Sequence, residues 1–89
     1  MKLIFCPRCT DVRRLFPADT TWCRCRASWG RYDDDLHATI GGAAVPLGYA
    51  NGSFARALRH RTATGPGSTF LAFVMPLSCP TVRQEGQTS

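Results

Sequence analysis

The residues best equipped for chemistry are the cysteines. Four of them form two close pairs, Cys6-Pro7-Arg8-Cys9 and Cys23-Arg24-Cys25, with thirteen residues between the pairs. Two such pairs can bring four thiolates around one ion, and a tetrahedron of four sulfurs is the closed, structural type of zinc site. The second pair is one residue tighter than the common two-residue spacing but can still chelate. Cys79 stands apart beside Pro80, and a lone thiol is more often a small buried hydrophobe than a nucleophile. Five thiols cannot all pair within one chain, and a reducing compartment favours a metal over disulfides. The expected cofactor is therefore a structural Zn²⁺ held by Cys6, Cys9, Cys23 and Cys25, with His37 as the substitute ligand. Such an ion contributes on the order of 10 kcal/mol to folding, comparable with the whole net stability of a small domain.

A second set of chemically capable residues lies outside the paired cysteines. Arg31 and Tyr32 follow Trp29 and precede Asp33-Asp34-Asp35; Arg offers bidentate hydrogen bonds and Tyr a stacking face. The run Gly48-Tyr49-Ala50-Asn51-Gly52-Ser53 enters a helix, where free N–H groups favour a phosphate or carboxylate. These features predict a binding site for an anionic, nucleotide-type small molecule built from Arg31, Tyr32, Asp33, Asp34, Tyr49, Asn51, Ser53 and Arg56. Each residue also has an ordinary use: Asn and Ser cap many helices, and three adjacent Asp residues are commonly a solvated loop. No phosphate-loop or dinucleotide fingerprint is present. Catalysis is not expected. Cys79 with His37 or His60 lacks any local activating context, and a four-cysteine zinc is coordinatively saturated.

Charge offers an alternative partner. The 89 residues carry eleven Lys+Arg against six Asp+Glu, a formal +5. Residues 1 to 31 hold seven basic and two acidic side chains, the three Asp residues follow, and residues 36 to 89 hold four basic and one acidic. A basic zinc ribbon suits DNA, RNA or a host protein, here through Arg8, Arg13, Arg14, Arg24 and Arg26. Ten of the eleven basic residues are Arg, which a GC-rich genome would also produce. The longest apolar runs, Leu3 to Cys6 and Phe70 to Leu77, fall far short of the roughly 18 residues of a spanning helix, so no membrane is expected. The first residues lack an apolar run of signal-peptide length, which predicts a cytoplasmic chain.

Positioning these groups requires a small α+β fold: an N-terminal zinc ribbon of short antiparallel strands merged with a small sheet and one helix. Residues 1-83 are expected to form a single compact domain, with the ribbon over 1-27, strands and a helix over 28-83, and a frayed tail over 84-89. Lys2 to Phe5 and Thr10 to Phe16 read as strands around the first cysteine pair, Pro17-Ala18-Asp19 as a turn, and Thr20 to Trp22 as the strand into the second. Leu36 to Ile40 and Ala43 to Leu47 flank Gly41-Gly42, which reads as a two-residue hairpin turn or a looser glycine-rich loop. A helix over about 53-61 places Phe54, Ala57, Leu58 and the stem of Arg61 on one face, with Ser53 or Asn51 as N-cap. Phe70 to Met75 reads as a buried or half-buried strand. A chain this small has limited concave surface, which leaves open a pocket completed across a homo-oligomer interface.

Several motifs together resemble a group of small bacterial and phage proteins with an N-terminal four-cysteine zinc ribbon. They are Phe5-Cys6-Pro7-Arg8-Cys9, Cys23-Arg24-Cys25 with Ser28-Trp29-Gly30-Arg31-Tyr32, and Gly41-Gly42-Ala43-Ala44-Val45-Pro46-Leu47-Gly48. Asn51 to Leu58, Phe73-Val74-Met75-Pro76 and Cys79-Pro80 extend the likeness over nearly the whole chain. Arg26 stands where that pattern has a glycine after the second cysteine pair. The resemblance implies a compact unit in a bacterial or phage setting. There, sequestering a host nucleotide signal against the cell's defence is a concrete version of the small-molecule reading.

Overall fold

The computed structural model describes residues 1–85. It contains eight strands in two four-stranded sheets and one helix, an α+β arrangement with four clustered cysteines near the N-terminus. The strands are β1 (Lys2–Phe5), β2 (Val12–Arg14), β3 (Thr21–Trp22), β4 (Ser28–Tyr32), β5 (Ala38–Gly42), β6 (Val45–Tyr49), β7 (Ala72–Val74) and β8 (Val82–Glu85). The helix α1 spans Asn51–Arg59. One sheet has the order β2-β1-β6-β7 and the other β3-β4-β5-β8.

Alternation along the strands decides which residues meet between the sheets. Ile4, Leu15, Ala38 and Ile40 are almost completely buried and form the core. Gly30 lies where a Cβ would come 2.8 Å from Leu15, with Ile40 and Ile4 close behind. The ribbon is not a separate unit, because β1 pairs with β6 on its other side and β4 pairs with β5. Leu15, one residue beyond β2, is the plug that joins the ribbon to the core.

Several expectations change. Gly41-Gly42 is not a hairpin turn: β5 and β6 belong to different sheets, and Gly42 is the corner where the chain passes from one to the other. Its φ is +65°, and a Cβ there would sit 2.0 Å from the Ala27 carbonyl oxygen, which accepts from Ala43 N–H at 2.9 Å. Neither cap expected for α1 is used. Ala50 is the N-cap without a side-chain bond, and the helix starts at Asn51 and ends at Arg59 rather than spanning 53-61. No residue of α1 is fully buried, and Leu58 is exposed. The segment Phe70 to Met75, expected as a buried or half-buried strand, forms a strand only over β7, and all three of its residues are exposed. Gln84 and Glu85 are not tail: they belong to β8, which runs parallel to β5. The rest of that expected tail, 86-89, lies outside the described residues.

Candidate metal centre and binding face

Each cysteine pair sits at the tip of an antiparallel hairpin. In the first, between β1 and β2, Cys6 N–H donates to Asp11 O at 2.9 Å and Thr10 N–H to Cys6 O at 2.7 Å. In the second, between β3 and β4, Cys23 N–H donates to Ser28 O and Arg26 N–H to Cys23 O, both at 3.0 Å. The residue closing each tip adopts a left-handed conformation, Thr10 at φ 58° and Arg26 at φ 63°. Glycine would do this without strain. Arg26 does it with its guanidinium over the Trp22 ring, 4.7 Å from the centroid. The shorter second pair is thus closed by a tighter turn of the same hand as the first.

The four sulfurs converge as the spacing predicts. All lie within 4.8 Å of one another, with Cys6 and Cys25 at 3.7 Å and Cys23 and Cys25 at 3.6 Å. An ion with bonds of about 2.3 Å to four tetrahedral sulfurs holds them about 3.8 Å apart. The cluster therefore fits one metal ion with little rearrangement. No disulfide is formed. Cys6 and Cys23 are buried and Cys25 is exposed, so the site lies against the core with one rim open. His37 is not part of it: its ring Nδ1 lies 3.0 Å from the Asp34 carboxylate.

The surroundings favour charge on the two buried sulfurs. Ser28 N–H donates to Cys23 Sγ at 3.3 Å. The Ser28 hydroxyl is buried without a completed hydrogen bond, and its approach to Cys6 is the main cause holding that thiol down at about 6. Burial and the Cys6 sulfur push against ionisation at Cys23, yet the Ser28 N–H and the sulfurs of Cys25 and Cys9 bring it below its usual value. At Cys25 the Ala27 N–H pulls the other way, but burial and three adjacent sulfurs raise the thiol to about 11. Without a cation, four sulfurs this close resist sharing negative charge; an ion removes that conflict. Asp11 braces the site from outside, its carboxylate accepting from Arg13 Nε at 2.7 Å and Arg24 N–H at 2.9 Å. The Arg13 bond holds its pKa below the ordinary value.

The residues expected to bind a small molecule fall into separate places. Tyr32 and Asp34 line a shallow hollow with Pro17 and Asp35, Tyr49 and Asn51 line a groove with Lys2 and Gly48, and Arg31 lies beside Trp29. Most already have internal partners. The Tyr32 hydroxyl accepts from Lys2 N–H at 2.8 Å, and Asp33 accepts from the Thr39 hydroxyl and pairs with Arg31 at 3.5 Å. Asp34 accepts from Leu36 N–H at 2.8 Å and His37 N–H at 2.7 Å, and the His37 N–H is the first cause of its lowered pKa of about 2. Asn51 accepts from the N-terminal ammonium at 2.9 Å. Ser53 donates to Ala50 O and accepts from Leu71 N–H, both at 2.9 Å. Tyr49 packs with Phe54 and Phe70 in an aromatic trio. Arg56 lies exposed on α1.

What the structure does assemble beside the metal cluster is an aromatic and cationic face. Trp22 on β3 and Trp29 on β4 are cross-strand partners, with ring centroids 6.2 Å apart. Trp29 lies across Gly41, where a Cβ would fall 2.2 Å from its ring. Arg26 covers Trp22, and Arg31 lies 5.4 Å from the Trp29 centroid. Thr20, Trp22, Trp29 and Arg31 line an open hollow of about 310 Å³. Trp22 was missed as a binding residue. The available signal was hairpin arithmetic, since a tip closed by residues 23 to 28 sets 22 opposite 29.

Compared with protein-family models, curated proteins and solved structures, the chain matches none of them. Among the described residues no helix is long and apolar enough to cross a membrane.

Proposed function

We propose that the protein is a zinc-stabilised module that binds single-stranded nucleic acid on the Trp22–Trp29 face, with no catalytic step. Zn²⁺ is the ion that suits four thiolates at tetrahedral spacing. The observation that carries the binding reading is the pair of adjacent tryptophans flanked by Arg26 and Arg31. Flat aromatic rings stack on any base, while guanidinium groups meet the phosphates between them. Exposed Arg8, Arg13, Arg14 and Arg24 continue positive charge around the ribbon. A single-nucleotide pocket is the weaker reading, because its expected residues are dispersed and mostly bonded to other parts of the chain, and the hollow at Tyr32 is lined by Asp34 and Asp35.

The chain has only two tryptophans, so tryptophan fluorescence, excited at the red edge where tyrosine does not absorb, reports this face alone. Titration with single-stranded oligonucleotides should quench it, with affinity rising with strand length and falling with salt. Trp22→Ala should weaken binding by roughly 5- to 150-fold, the range of one lost stacking contact of about 1–3 kcal/mol. Quenching that saturates equally well with a mononucleotide would favour the small-molecule reading. Unchanged affinity in Trp22→Ala would refute this face.

A further inference from the structure

We infer that two copies of the chain associate through β7, joining their β2-β1-β6-β7 sheets edge to edge about a two-fold axis at Phe73. Among the described residues β7 pairs with β6 alone. Its ladder runs with Ala50 N–H donating to Leu71 O at 2.8 Å and Met75 N–H to Pro46 O at 2.9 Å, in register with Gly48 opposite Phe73. Antiparallel pairs alternate between bonded and non-bonded positions. Residues 71, 73 and 75 therefore face β6 with their peptide groups, while those of Ala72 and Val74 point to the open edge.

An open edge is normally guarded by charge, proline or a bulge. Ala72–Val74 has none of these, and no charged residue occurs from 62 to 82. On a chain of net +5, two copies repel over much of their surfaces, and this uncharged run is where they can approach. The edge is also self-complementary. Setting Ala72 opposite Val74 of a second copy, and Val74 opposite its Ala72, satisfies all four free N–H and C=O groups of each strand segment. Phe73 then faces its own counterpart at a non-bonded position, where side chains come closest.

Exposed apolar surface surrounds the same edge. Phe70, Leu71, Phe73, Val74 and Leu77 are 37% to 95% exposed. For side chains of roughly 150–250 Å², this gives on the order of 600 Å², most of the roughly 800 Å² per partner that a specific dimer buries.

Sedimentation of the metal-loaded, full-length protein should show a concentration-dependent dimer. Val74→Pro removes an N–H that the chain's own ladder does not use and should weaken dimerisation by about 100-fold or more, the effect of losing two hydrogen bonds and the strand seam. Val74→Lys should do the same by charge and decides the matter if the proline variant loses its metal or its far-ultraviolet dichroism. A wild-type chain that stays monomeric at millimolar concentration would overturn the inference. So would a dimer that survives both substitutions unchanged.

Discussion

Withdrawing the metal is the perturbation with the largest expected effect, and its size follows from what the core lacks. The buried apolar residues are Leu3, Ile4, Cys6, Leu15, Cys23, Ala38 and Ile40, and two of these seven belong to the cysteine cluster. Burying a large aliphatic side chain contributes about 1.5–3 kcal/mol, so Leu3, Ile4, Leu15 and Ile40 are a slender core for 89 residues. A four-thiolate zinc site contributes about 10–16 kcal/mol at neutral pH, as much as the whole net stability of an ordinary domain. Chelation should therefore unfold the chain rather than soften it. Zinc released to a colorimetric chelator should approach one equivalent, and far-ultraviolet dichroism should collapse in step with it. Cys25→Ser, which removes the exposed ligand and leaves the buried pair, should lower metal affinity by more than the 10- to 100-fold typical of losing an outer-shell partner. Metal affinity should also fall as pH drops, because every ligand sulfur must lose its proton. A chelated protein that keeps its dichroism and melting temperature would refute the reasoning.

Two further perturbations test the parts that hold the site in place. Gly42→Ala forces a Cβ toward the Ala27 carbonyl at a left-handed φ and should cost about 2–3 kcal/mol from backbone strain and a disrupted hydrogen bond, lowering the melting temperature by roughly 10–20 °C. Gly52→Ala, on α1 with nothing within 4 Å of the new atom, should instead stabilise by up to about 1 kcal/mol; equal effects from the two substitutions would contradict the corner assigned to Gly42. Asp34, held down at about 2 chiefly by the His37 N–H, has an ordinary value of about 3.9 when unfolded. A depressed carboxyl stabilises above its unfolded value and loses that contribution as pH falls toward the folded one. From about pH 6 to 8, far above both values and with the thiolates still holding their ion, the carboxylate is fully charged, so the Leu36 and His37 amides of wild type should be better protected than those of Asp34→Asn, corrected for intrinsic exchange. Equal protection in the two proteins would count against the carboxylate as the loop's anchor.

The metal cluster was legible because its information is local. Two cysteines within a few residues of one another share a turn, and a thirteen-residue separation is long enough to return a hairpin to the first pair. The same locality made β1, β3 and the existence of a helix readable. It failed where local signals have two physical uses. Gly41-Gly42 carries the residues of a hairpin turn, but β5 and β6 find their partners elsewhere, and the glycines serve the indole of Trp29 and the corner at Ala27. Asn51 and Ser53 carry the residues of a cap, but the ammonium of Met1 and the N–H of Leu71 reach them first.

By itself the sequence determined the four-cysteine cluster, the basic ribbon and the α+β class, all of which follow from residue type and short spacing. Only the tertiary structure decided which side chains share a surface. It set Trp22 beside Trp29, scattered the residues expected around one small molecule, and left β7 at an edge. Those outcomes depend on pairings between segments far apart in the chain, such as β6 with β1 and β8 with β5. Such pairings are selected by how a few buried side chains close the core, and no short stretch of sequence contains both partners.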